Sequence, residues 1–256
     1  MNYFSKRIVC ALIVLGAASA TRTASAEVLD LTSGAGSSGT INGAIFEFGD
    51  SQSAGTGVIY PFVRIQASVT EQGYNTSGRP VPFDEKTDPN FTHNLTLGEV
   101  GVVTRDGVDY LWFLLDINEP NNEGESLILL NALQFYTSTE GSQTTTDVGS
   151  LGTLRYDMDA GGDNGVLLDH SAAEGSGKYD MTALIPRSLF EGALDSDFLY
   201  VYSMFGDSGD DSEAGFEEWS TIQSEATPTT IPLPSAATTG VALLVLLAWF
   251  RRCRFV

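Results

Sequence analysis

The sequence predicts an all-β protein: a single antiparallel β-sandwich or jelly-roll-like domain with one short helix, set between two apolar segments at the chain ends. Three observations predict it. Apolar and polar residues alternate with period two through most of the interior of the chain. The alternating runs are rich in β-branched and aromatic residues, and Gly, Asn and Asp separate them. Only one stretch has helical character, and it is barely two turns long.

The elements follow in order. "VIYPFVRIQASV" sets Ile59, Val63, Ile65 and Ala67 against Tyr60, Arg64, Gln66 and Ser68. "THNLTL" places His93, Leu95 and Leu97 on one face, where His93 reads as a core histidine. Arg105-Asp106-Gly107-Val108 reads as a hairpin turn with Asp-Gly at its centre. "VDYLWFLLDIN", from Val108, is apolar on both faces, as a central strand is. "SLILLNALQFY", "KYDMTALI" and "FLYVYSMF" continue the strand pattern. "PRSLFEGAL", Pro186 to Leu194, is the helix, with its proline near the start. No spacer splits this body, so one domain is expected over 27–223, followed by a linker at 224–230.

Charge narrows the partners. Of 13 Lys and Arg, six (Lys6, Arg7, Arg22, Arg251, Arg252 and Arg254) lie in end segments that hold no acid. The rest of the chain has seven bases against 33 acids, a net charge of −26. Such a surface repels phosphate backbones, which excludes nucleic acid as a partner and favours calcium or a basic surface. The two cysteines, Cys10 and Cys253, also lie in the end segments, so no disulfide framework holds the domain.

The ends give an address. Residues 1–26 have the pattern of a secretory signal peptide. Lys6 and Arg7 are its basic region and Ile8 to Ala18 its apolar region. Ala24 and Ala26 frame an A-x-A cleavage site, with cleavage after Ala20 as the alternative. Export through the Sec machinery is expected. At the other end, Ala236 to Phe250 makes a helix of roughly 22 Å, short against the ~30 Å hydrocarbon core. Pro232 and Pro234 precede it, and Arg251, Arg252 and Arg254 follow as a positive-inside anchor. The arrangement over 231–256 resembles the PEP-CTERM sorting signal of bacterial exosortase substrates, with Pro232-Leu233-Pro234 in place of Pro-Glu-Pro. The resemblance implies an exosortase-type processing enzyme as partner and a transmembrane sorting helix. Membrane contact is then transient if the tail is cut and permanent if it is retained. A GPI-type signal is the remaining alternative, and the terminal arginines oppose it. Blocks such as "GTGVIYPFVRIQ", "FLLDINEP" and "GFEEWS" are similar to blocks in secreted proteins that carry such tails. That similarity implies export and supplies no catalytic residues.

Three groups of residues carry candidate chemistry. In "YDMDAGGDNGVLLD", Asp157, Asp159, Asp163, Asn164 and Asp169 supply hard oxygens for a calcium loop, and three glycines let it curl. Leu168 stands where an EF-hand has its bidentate acid, so the loop is not an EF-hand. An Asx-rich acidic turn is the other reading. Tyr74, in "TEQGYNTSGR", is the candidate exposed ring for stacking on a sugar. Glu71, Glu119, Glu217 and Glu218 are conceivable acid–base partners for glycoside hydrolysis. The expectation is an exported cell-surface or extracellular-matrix protein, structural or binding in role, associated with extracellular polysaccharide and stabilised by calcium. A secreted carbohydrate-active enzyme and a permanently anchored surface protein are the alternatives.

Overall fold

A computed structural model describes residues 26–49, 59–120, 125–173, 179–206, 212–213 and 215–222. Residues 1–25 of the expected signal peptide, the linker and the sorting tail with its prolines and arginines lie outside them. Among the described residues no helix is long and apolar enough to cross a membrane.

The described chain forms β1 (Val28–Asp30), β2 (Ser38–Ile41), β3 (Ala44–Phe48), β4 (Ile59–Ile65), β5 (Ser68–Val69), β6 (Glu71–Tyr74), β7 (Leu95–Thr96) and β8 (Val102–Arg105). It continues with β9 (Val108–Asp116), β10 (Leu127–Ser138), β11 (Thr153–Asp157), β12 (Gly165–Asp169), β13 (Met181–Pro186), β14 (Phe198–Phe205), β15 (Ser212–Glu213) and β16 (Glu217–Ile222). One sheet runs β1-β12-β10-β14-β6, with β11 beside β10 and β7 beside β14. The other runs β2-β3-β13-β9-β16-β4, with β8 beside β9. β5 and β15 make a separate two-residue ribbon. The β1–β12 pair is parallel, and the other pairs are antiparallel. The protein is therefore all-β, built of two mainly antiparallel sheets in a sandwich-like arrangement.

Period two explains why the sheets face each other. On β9, Leu111, Phe113 and Leu115 are buried in the common core, as are Leu133 and Phe135 on β10. The rings of Phe113 and Phe135 meet across the gap, 4.8 Å between centroids. Trp219 of β16 crosses the same gap, its indole N–H donating to Ser203 Oγ at 3.1 Å. β10 changes phase at a register shift between Leu130 and Ala132, so that Ile128 and Leu130 face the common core before it and Leu133 and Phe135 after it. Beyond it, Ala132 and Tyr136 turn to the outer face, where they join Tyr74, Tyr200, Tyr202 and Leu151 in a second apolar cluster.

Two local expectations meet the structure differently. Asp106 (φ 51°) and Gly107 (φ 79°) both take positive φ between β8 and β9, the geometry of a two-residue type I′ hairpin. The helix expected over Pro186–Leu194 is instead one 3₁₀ turn, Arg187–Phe190. Pro186 belongs to β13, paired with Tyr110, and Gly192 (φ 82°) turns the chain away. Too few residues remain to repay helix nucleation, and burial of Phe190 fixes the turn instead.

Candidate functional site

The sandwich has one acid-rich end, and β9, β13 and β16 build it. Strand alternation sends Leu115 and Ile117 inward and Asp116 outward. On β16 it sends Glu217 and Trp219 inward and Glu218 outward, and on β4 it sends Val63 and Ile65 inward and Arg64 outward. The register then aligns the outward groups. Glu218 stands opposite Asp116 on one side and opposite Arg64 on the other. Asp180, just before β13, lies on the far side of Asp116: its N–H donates to Leu115 O, and its Oδ2 accepts from Ile117 N at 2.8 Å. Asp180, Asp116, Glu218 and Arg64 thus form a row across four neighbouring strands.

The row is electrostatically uneven. Arg64 is fixed by Glu218, with Nε and Nη2 at 2.8 and 2.7 Å from one carboxylate oxygen. Its guanidinium lies 3.7 Å from the centroid of Phe91 and 4.2 Å from that of Phe216. Burial pushes the Asp116 carboxyl up to about 6, and Glu218 adds to the rise while His170 and Arg64 oppose it. Burial pushes Asp180 up to about 8, with Asp116 and Asp169 adding and the Ile117 N–H opposing. Asp180 is 3% exposed, and its Oδ1 has no hydrogen bond. His170 Nδ1 is 3.9 Å from that oxygen, too far to donate well. Tyr179 stands close enough to Asp116 and Glu218 for both to raise its phenol, after burial. The Asp116 carboxyl, beside Glu218 and a fixed guanidinium, can accept from, donate to and exchange protons with a hydroxyl-rich ligand, whereas Asp180 is buried beside it.

The residues singled out from sequence fall elsewhere. Asp157, Asp159, Asp163 and Asn164 do share the turn between β11 and β12. Asp157 Oδ1 accepts from Asp159 N, Asp159 Oδ1 accepts from Asn164 N, and Asn164 Nδ2 donates to Met158 O. Asp169 is at the other end of β12, about 13 Å along the strand. There it takes the Ser171 N–H and hydroxyl. The five-residue ligand set is therefore not gathered in one place. Among the described residues no three His, Cys, Asp or Glu side chains form a metal-holding group.

Tyr74 requires a correction. It is not an exposed platform but 0% exposed, because β6 pairs with β14 and loops cover that face. Its ring packs edge-on against Tyr200 and Phe83, and its hydroxyl donates to Thr145 O at 2.9 Å. Of the four glutamates considered for hydrolysis, Glu71, Glu119 and Glu217 are buried at the acid-rich end, whereas Glu218 is in the outer row. Asp116, Asp180, His170 and Arg64 were not singled out as a site. Their one signal in the sequence is an acid closing or opening an apolar strand, in "FLLDIN" and "KYDMTALI".

Compared with protein-family models, with curated proteins and with solved structures, the chain has no match.

Proposed function

We propose that this chain is an exported structural or binding protein of the cell surface or extracellular matrix, delivered by Sec export and an exosortase-type sorting step, and that it engages exopolysaccharide at the acidic row. The observation that carries the binding reading is the alignment of Asp116, Glu218 and Arg64 on three adjacent strands, with Asp180 buried beside Asp116. Sugar hydroxyls donate to carboxylates and accept from guanidinium, so such groups set side by side on neighbouring strands suit an extended polymer better than a small enclosed ligand. The export reading rests on residues 1–26 and 231–256. A mature chain beginning at Glu27 retains the bond from Gly165 N to Glu27 O and the bond from Glu27 N to Asn164 Oδ1.

The test is binding of the full chain to a panel of neutral and acidic polysaccharides. Asp116→Asn combined with Glu218→Gln should lower affinity at least tenfold, about 1.4 kcal/mol or more. Unchanged binding would remove the row from the interface. Intact mass of the exported protein checks the address: a species starting near Glu27 and lacking Arg251–Val256 is expected, and retained arginines would favour a permanent anchor.

A second reading, polysaccharide hydrolysis, has its own observation. Asp116, held near pH 6, faces Glu218, which is tied to Arg64, and two carboxyls in unlike environments are what acid–base cleavage of a glycoside requires. Release of reducing ends, lost in Asp116→Asn, would decide for it.

A further inference from the structure

We propose that removal of the signal peptide locks the first strand onto its sheet: hydrolysis of the Ala26–Glu27 bond creates an α-ammonium group on Glu27, and the turn between β11 and β12 holds that group through Asn164. The inference rests on the cleavage site proposed above and adds a receptor for the new chain end.

Pairing alone secures β1 poorly. It is three residues long, lies at the edge of its sheet and runs parallel to β12. Parallel pairing is slightly weaker per residue than antiparallel pairing. Burial fixes its inner end. Leu31 is 1% exposed, and its N–H donates to Leu167 O at 3.0 Å. Leu29 packs so closely on β2 that a Cβ on Gly39 would sit 2.4 Å from its Cδ1. The outer end depends on residue 27. Glu27 O accepts from Gly165 N at 2.9 Å, and Glu27 N donates to Asn164 Oδ1 at 3.2 Å.

Asn164 is built as a fixed acceptor. Its N–H donates to Asp159 Oδ1 at 2.9 Å, and its Nδ2 donates to Met158 O at 2.7 Å. Met158 O is itself held by Asn42 Nδ2 at 2.8 Å. Turning the Asn164 amide over would bring two oxygens together, so Oδ1 stays directed at Glu27. The setting is negative. Asp157, Asp159 and Asp163 share the turn, which contains no Lys or Arg. Backbone N–H groups close the turn onto Asp157 and Asp159 but bring no charge. Among the described residues none of these three acids is in an ion pair.

Cleavage changes what Glu27 N brings to this turn. In the precursor it is a neutral amide with one hydrogen. Hydrolysis adds water across the bond: Ala26 leaves as a carboxylate, and Glu27 N becomes an amine that is protonated at neutral pH. The bond to Asn164 is then charge-assisted, roughly twice as strong as a neutral one. Asp157, Asp159, Asp163 and the carboxylate of Glu27 add an attraction that the amide does not feel. The first strand is held most firmly only after the export signal has gone.

The test compares three chains with the same C-terminus: one beginning at Glu27 with a free amine, the same chain acetylated at that amine alone, and one keeping residues 23–26. At neutral pH the free-amine chain should melt about 2–4 °C above the other two. The group is charged below its ordinary titration near pH 8, so the advantage should be full there and vanish above about pH 10. Asn164→Ala loses the Met158 contact in all three chains and should cancel the difference between them. Asp159→Asn keeps an acceptor for Asn164 N–H, removes one charge and should narrow the difference; it carries the test if Asn164→Ala does not fold. Equal melting of the free-amine and acetylated chains would overturn the proposal. So would a difference that survives Asn164→Ala or persists at high pH. Intact mass of the exported protein decides the other half: a start other than Glu27 would overturn the link to processing even where a Glu27 amine docks. Polysaccharide binding at the outer row can succeed or fail independently.

Discussion

The turn between β11 and β12 and the acid-rich end of the sandwich are both dense in carboxylates, yet they are opposite structures. In the turn, Asp157 and Asp159 each accept a backbone N–H a few residues ahead, and Gly161 at φ 92° lets the chain curl to bring those donors in. The acids make the turn and are satisfied by it. At the sandwich end, the backbone amides near the carboxylates are largely committed to strand pairing. Glu217 on β16 and Glu71 on β6 consequently find few donors. Acid density alone therefore marks no site. What matters is the balance of acceptors and donors once the strands have paired.

The largest expected effect lies at that end and depends on pH. Asp180 titrates at about 8 in the folded protein against an ordinary 3.8. The folded state therefore keeps a proton that the unfolded chain releases. This contribution is fully present below about pH 4 and is lost as pH rises through 8. Asp180→Asn keeps an acceptor for Ile117 N–H and removes the titration. The variant should be more stable than wild type at pH 8, on the order of 3 kcal/mol, and close to it at pH 4. Parallel pH profiles in urea unfolding would refute the assignment.

Next comes the interior. In EDTA, Glu217→Met replaces two unpaired oxygens with an apolar chain of similar length, and chemical denaturation should report a gain of about 1–3 kcal/mol. A loss of that size would mean that Glu217 has partners after all, and would erase the contrast with the turn.

The turn should respond in the opposite sense. Asp159→Ala removes the acceptor of Asn164 N–H and should cost about 1 kcal/mol, with or without calcium, by the same measurement. Stabilisation instead would place both regions in one class. The smallest effect is expected for Asp163→Ala. That side chain is exposed, and unfolding should stay within about 0.5 kcal/mol of wild type.

The longer strands were legible in the sequence alone. Period-two alternation located β4, β9, β10, β13 and β14 within a few residues, and "FLYVYSMF" coincides with β14. It also marked the Asp106–Gly107 hairpin, because that signal is local chemistry. It overreached where tertiary pairing takes precedence over local pattern. A two-turn helix yielded to a 3₁₀ turn between β13 and β14, and a tyrosine in a polar stretch was drawn into a strand and buried. Only the tertiary structure decided the sites. Alternation says that Glu217 and Glu218 face opposite ways, but not which of them is inside. Asp116, Asp180 and Arg64 are separated along the chain by dozens of residues, and strand order together with register brings them abreast. Register is fixed by the burial of whole strands, such as Trp219 reaching Ser203 across the core. No local window of sequence contains that information.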